Sequence, residues 1–429
     1  MKTGNMSLLE KIAYACGGAG MNCLAAFAGS FLTYYFTDSA GISAAVAGNI
    51  IMISRVFDAF SDITMGTIVD NTSTKMGKAR PWLLRMAIPG AISLILLFSV
   101  PDISPMGKII YVFIMYNLHT TIFATALNVP SVSLNALVTD DVKERGVISV
   151  LRMTFAQLTM LMINSYALKV VDAFGGGKSA WSLTALIFGL ISVTLLFFTA
   201  LGVKERLTVT KDKKNKDKET ISFRQKASII LHNKNLLIVA GTTFASFLVV
   251  GLMAGNVYYA QYILGDRGLV SSLSMSKLLP SIIAMLILLK VTTKLSKKKT
   301  SLYGLYLALA GGIGMIIAPE NYNVIIIGLV LQGIGTAPLS ALQQAMVADS
   351  LKGDSEAGIG YGFNSLAMKM GSGLGASLTG WLLALGGYTA QASVQSAAAQ
   401  IAIKAMIVYI PTLVVIVLIL MLLKYDVKE

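Results

Sequence analysis

Long apolar runs separated by short polar ones make up nearly all of this chain. A helix needs about 20 mostly apolar residues to cross the hydrocarbon core of a bilayer. Runs of that length lie near 12–37, 45–70, 82–101, 108–137, 147–170, 180–203, 235–264, 268–291, 300–318, 322–347, 358–386 and 400–424. The pattern predicts an all-α polytopic membrane protein with about twelve transmembrane helices. One polar interruption is much longer than the rest, the lysine-rich stretch from Lys204 to Lys226. It separates a first group of six helices (1–203) from a second (231–429), with 204–230 as the basic loop between them.

Composition agrees with this reading: 55% of the 429 residues are hydrophobic and only 13% charged, against about a quarter charged in soluble domains. The net charge of +14 raises the question of a nucleic-acid partner, but its placement along the chain argues otherwise. Alternate links carry Lys75, Lys78, Arg80 and Arg85, then Lys143 and Arg145, then the long loop, then Lys294, Lys297, Lys298 and Lys299, then Lys352. The opposite links carry only Lys108, Lys178 and Arg267. This is the bias that sets membrane topology, and it predicts cytoplasmic N- and C-termini in the cell membrane. The first apolar run is too long and glycine-rich for a cleaved signal. Cys16 and Cys23, like His119 and His232, are too few or too badly spaced for a disulfide or a metal cluster. No G-x-x-x-x-G-K-[ST] loop and no Ser-His-Asp or nucleophile-elbow arrangement occurs. ATP-driven pumping and enzymatic catalysis are therefore unsupported, no cofactor is implied, and the expected partners are lipid and a small solute.

Within the second apolar run, Arg55, Asp58 and Asp62 stand three and four residues apart and so share a helix face. An aspartate at mid-bilayer costs roughly 2.5–3.5 kcal/mol, so the pair costs about 5–7 kcal/mol before any partner is counted. Arg55 as a charge partner accounts for Asp58 and leaves Asp62. Two converging carboxylates make an oxygen-rich site for a small cation, sodium or lithium, or for a proton, since each carboxylate opposes ionisation of the other. Thr125 and Asn128, three apart on the fourth helix, have the oxygens to extend such a shell. Arg152, Lys277 and Lys369 place positive charge inside the fifth, eighth and eleventh runs, with Asn22 as a further polar group in the first. Lys369 lies too deep to snorkel easily, so it is expected to line a cavity or to pair with a carboxylate. Pro130 and Pro280 fall inside runs and are expected to disturb their helices. Gly371 and Gly375, four apart, allow close helix approach.

The segment 55–82, RVFDAFSDITMGTIVDNTSTKMGKARPW, resembles the glycoside-pentoside-hexuronide:cation symporter family, melibiose permease-like members of the major facilitator superfamily. It holds the D-x-x-x-D pair, the glycine after it, and the loop of Gly77, Lys78, Arg80, Pro81 and Trp82. The likeness continues in TYYFTDSAG (33–41), NVPSVSL (128–134), LRMTFAQ (151–157), MVADS (346–350) and AMKMGSG (367–373). The resemblance implies two six-helix bundles and entry of a sugar together with Na+, Li+ or H+. It matches Asp58, Asp62 and Thr125 to the cation site, Arg55 to the arginine before it, and Arg152 and Lys369 to basic residues lining the cavity. Asn22 and Asn128 stand where galactoside-carrying members have aspartates, and Val132 and Ser340 where they have tryptophans. These departures argue for a different solute.

The reading that follows is a secondary symporter that couples a cation to uptake of a sugar or glycoside, with Asn22, Asn128, Arg152 and Lys369 contacting the solute. A nonsugar or amphipathic cargo is the alternative within transport. A membrane sensor without transport is the alternative outside it.

Overall fold

The computed structural model describes residues 6–206, 230–291, 296–351 and 354–426. Most of the basic loop, together with Lys294 and Lys352, lies outside the described residues. The long helices are α1 (Leu8–Ser39), α2 (Ala44–Asn71), α3 (Arg80–Leu97), α4 (Pro105–Val138), α5 (Glu144–Ala173), α6 (Lys178–Gly202), α7 (Lys234–Tyr262), α8 (Arg267–Leu288), α9 (Lys297–Ile317), α10 (Tyr322–Asp349) and α12 (Ala397–Leu423). These eleven are long and apolar enough to cross a membrane. Between the last two lies α11 (Asp354–Leu385), 32 residues long. Asn364, Lys369, Ser372, Thr379 and several glycines make it the least hydrophobic of the twelve runs anticipated from sequence.

Local chemistry sets the helix starts. Ser7, Ser43, Ser104, Ser296 and Ser396 each accept a backbone N–H of the first turn beyond them, and Asn321 accepts two. These bonds satisfy donors that the helix itself leaves open. Ser7 and Glu10 form a reciprocal capping box, which is why α1 begins at Leu8, four residues before its expected start. Pro130 and Pro280 lie inside α4 and α8.

The chain divides into two compact units, Met1–Asp212 and Lys213–Glu429. In the first, Phe27, Phe31, Tyr34, Tyr35 and Phe98 surround the fully buried Trp181, which stacks on Phe98 at 5.9 Å between centroids. Here α1 also meets α5 closely: a Cβ at Gly18 would come within 2.5 Å of the Arg152 carbonyl oxygen. The loop from α2 to α3 is clamped by Glu205. Its carboxylate accepts the backbone N–H groups of Lys78 (2.7 Å), Ala79 (2.9 Å) and Arg80 (2.9 Å). A carboxylate at a helix N-terminus is favoured by both the open donors and the helix dipole. Gly77, at φ +107°, makes the turn that lets them converge, and any Cβ there would strike the same carboxylate.

In the second unit α7 and α11 are brought together by small residues. A Cβ at Gly371 would collide with the Phe244 carbonyl, and one at Gly375 with the Leu248 carbonyl. Five of the described helices leave regular α geometry, α8 by opening on a 3₁₀ turn at Arg267–Leu269. The α1 chain ends in a π turn at Tyr35–Ser39, and α4 holds one at Leu118–Ala124. A 3₁₀ turn at Leu252–Gly255 interrupts α7, and a π turn at Ala405–Tyr409 interrupts α12.

Candidate functional site

The polar groups of α2 and α4 meet side by side in the first unit. Arg55 Nη1 lies 3.0 Å from Asp58 Oδ2, and Arg55 Nη2 donates to the Tyr116 hydroxyl at 3.4 Å. The other Asp58 oxygen, Oδ1, accepts from Thr121 Oγ1 at 2.5 Å. One turn further along both helices, Thr125 Oγ1 donates to Asp62 Oδ1 at 3.2 Å. Both contacts join residues 63 apart in sequence, as expected of parallel helices whose side chains climb together. Ser61 adds a hydroxyl bond to the Thr121 carbonyl, and Asn117 Oδ1 lies 3.4 Å from the Thr121 hydroxyl. Asp58, Thr121 and Thr125 are buried, and Asp62 is partly so.

The π turn at Leu118–Ala124 carries Thr121 and ends next to Thr125. A π turn adds a residue to the helix and re-aims the side chains that follow it, and such turns gather at functional sites. Here it faces two hydroxyls toward two carboxylates. The resulting donor set is wholly oxygen: two carboxylates, the hydroxyls of Thr121 and Thr125, and the Asn117 amide oxygen. Such hard ligands suit an alkali cation, or a proton shared with a carboxylate. Arg55 holds Asp58 in a fixed orientation while the hydroxyls supply neutral oxygens around it.

The other residues anticipated from sequence are distributed differently. Asn128 is exposed, and no hydrogen bond joins it to Asp58 or Asp62 among the described residues. Asn22 donates its amide to the Ala156 carbonyl and so ties α1 to α5. Arg152, on α5, leaves its buried Nε without a hydrogen-bond partner among the described residues. Lys369 is partly buried on α11 in the second unit, two residues before Gly371. Tyr258 and Tyr259 of α7 are fully buried, and Tyr259 donates to the Pro319 carbonyl. Thr121, Asn117 and Ser61 were not singled out in the sequence. The signal was present in the four-residue ladder Asn117, Thr121, Thr125, which repeats the spacing of Asp58 and Asp62.

Comparison with known proteins gives the family. Residues 13–429 match the family model described as MFS/sugar transport protein. The isoprimeverose transporter of Lactiplantibacillus pentosus is 30% identical over 415 residues, covering 94% of this chain and 85% of the relative. The inner membrane symporter YicJ of Escherichia coli (strain K12) is 27% identical over 428 residues, 96% of this chain and 90% of its own. Among solved structures, a mutant of the nucleoside transporter NupG superposes with a TM-score of 0.69 at 13% identity, over 96% of this chain and 99% of that one. At that identity the likeness speaks for the fold alone. The family match covers nearly the whole chain, and with the hydrophobic helices it fixes the class: this is an integral multi-pass membrane protein, a transporter and not an enzyme, and it belongs to the MFS/sugar transport protein family.

Proposed function

We propose that the protein is a secondary symporter that moves a sugar or glycoside inward together with a monovalent cation bound at Asp58 and Asp62. The observation that carries this reading is the paired ladder of Asp58 with Thr121 and Asp62 with Thr125, which gathers two carboxylates and two hydroxyls inside a membrane span. Such an arrangement is costly to insert and is explained by a ligand that uses it. The family match and the relatives named for isoprimeverose transport and for symport support the solute class and the coupling.

Coupling then follows from linkage. If the cation favours the state that binds solute, the solute favours the state that binds cation by the same factor. The Thr121 and Thr125 hydroxyls and the Arg55 guanidinium keep the carboxylates in place. Sodium, lithium and the proton are the candidate coupling ions. Arg152 and Lys369 supply positive donors toward the solute, Asn128 offers an exposed amide, and Asn22 retains its carbonyl oxygen after bonding to α5. The lysine-rich links face the cytoplasm, as do both termini.

The test is gradient-driven accumulation of candidate sugars in sealed vesicles, with isoprimeverose first. Asp58→Asn and Asp62→Asn are each expected to abolish accumulation while the protein still reaches the membrane. Normal accumulation by both variants would refute the assignment of the cation site.

A further inference from the structure

Lys277 is a cation in α8 that the symport reading does not use. It comes ten residues after Arg267, the first residue of the helix. At 1.5 Å per residue this is a depth of about 15 Å, half the thickness of a bilayer core of about 30 Å. From there a lysine side chain does not readily reach either interface. Among the described residues no hydrogen bond or ion pair meets its ammonium group, and the residue is half-buried.

The surroundings are built rather than incidental. Lys277 and Asn256 are the polar members of a cavity of about 20 Å³, otherwise walled by apolar side chains such as Leu252, Met253, Leu273 and Ile407. Asn256 is 8% exposed, and its amide reaches only Ser274 Oγ, at 3.5 Å. Two broken helices meet at this cavity. The 3₁₀ turn Leu252–Gly255 of α7 faces the π turn Ala405–Tyr409 of α12 so closely that a Cβ at Gly255 would lie 3.0 Å from Met406 Cβ. Irregular backbone at membrane depth is tolerated where it lines a cavity, and interrupted helices recur at transporter binding sites. On the far side Gly333 of α10 presses directly on the Lys277 carbonyl, leaving no room for a side chain and fixing where the lysine stem begins.

We propose that the cavity around Lys277 and Asn256 is an anion subsite in the second unit, separate from the cation site and independent of it. It takes one small acid group, carboxylate or sulfonate, or a halide. Lys277 supplies the charge and the Asn256 amide a neutral donor. The volume of about 20 Å³ is room for one small group rather than for a whole disaccharide. The anion is either free in solution or the acid group of a solute, and the two sources separate experimentally.

The experiment measures the thermal midpoint of the purified full-length protein at constant sodium and ionic strength. The bulky buffer anion HEPES serves as reference, and chloride, formate, methanesulfonate and glucuronate are titrated against it. A ligand that binds only the folded protein raises the midpoint in proportion to ln(1 + [L]/Kd). At least one of these anions is expected to raise it by a few degrees. Lys277→Met should weaken the apparent affinity tenfold or more, and Lys277→Arg should retain most of it. Stabilisation by chloride or formate identifies a free anion, and stabilisation by glucuronate alone identifies the acid group of a solute. Identical midpoints in every salt, or an anion response unchanged in Lys277→Met, would overturn the proposal. If Lys277→Met does not fold, Asn256→Leu decides: an anion response of wild-type strength in that variant contradicts the subsite.

Discussion

The bond from Thr121 to Asp58 gives the sharpest prediction about the cation site. Thr121→Val keeps the shape and the β-branch of the side chain and removes only the hydroxyl that donates to Asp58 Oδ1 at 2.5 Å. A hydrogen bond to a charged group is worth about 1.5–3 kcal/mol, and 1.4 kcal/mol is a tenfold change in affinity. Losing it therefore weakens cation binding by roughly ten- to a hundredfold, the range also found when groups that orient metal ligands are removed. The assay is the cation concentration that gives half-maximal thermal stabilisation, or half-maximal solute uptake. Thr121→Ser should restore most of the affinity. Thr120→Val is the control: that hydroxyl is the next in sequence but bonds the Tyr116 carbonyl at 2.9 Å, and its loss should leave the cation response within about twofold, an interval set by the few tenths of a kcal/mol typical of such surface changes. Equal cation affinity in Thr121→Val and wild type would refute the assignment of this hydroxyl.

Three predictions concern the packing within each unit. Glu205→Gln replaces a carboxylate that accepts three backbone N–H groups, so the thermal midpoint should fall by several degrees, from a loss of about 1–3 kcal/mol. Gly77→Ala should lower it in the same direction, because φ there is +107° and the new methyl meets Glu205. Gly375→Leu places a side chain against the Leu248 carbonyl, so it should force α7 and α11 apart and reduce both yield and transport, whereas Gly362→Leu, with open space at its Cβ, should be tolerated by the same assays.

Much of the fold could be read from the chain because lipid leaves few options. Runs of about 20 apolar residues must be helices when no water is present to bond their backbones, and only α11, thinned by its glycines and polar residues, stands apart in hydropathy. The aspartates were visible for the same reason, since their insertion cost makes them conspicuous. What could not be read was the partner on the neighbouring helix. Thr121 looks like one of many hydroxyl residues until the π turn of α4 aims it at Asp58, and sequence does not announce a π turn. Asn128 stood out because it lies three residues after Thr125 and so near its face, yet the structure leaves its side chain exposed. Asn22 offered an amide whose carbonyl partner, that of Ala156, is set by packing of α1 on α5 rather than by any pattern. Lys277 carried its charge in plain view, whereas the broken turns of α7 and α12 around it were not foreseeable from periodicity.

The cation site is tested most directly by the thermal stability of the purified protein in sodium, lithium and potassium across pH, with Asp58→Asn beside the wild type. Stabilisation by sodium or lithium over potassium, or else a pH dependence in the wild type, is expected, and it disappears when Asp58 is neutralised. Cation and pH responses that are the same in both proteins would contradict it and would leave Asp58 and Arg55 as a structural pair.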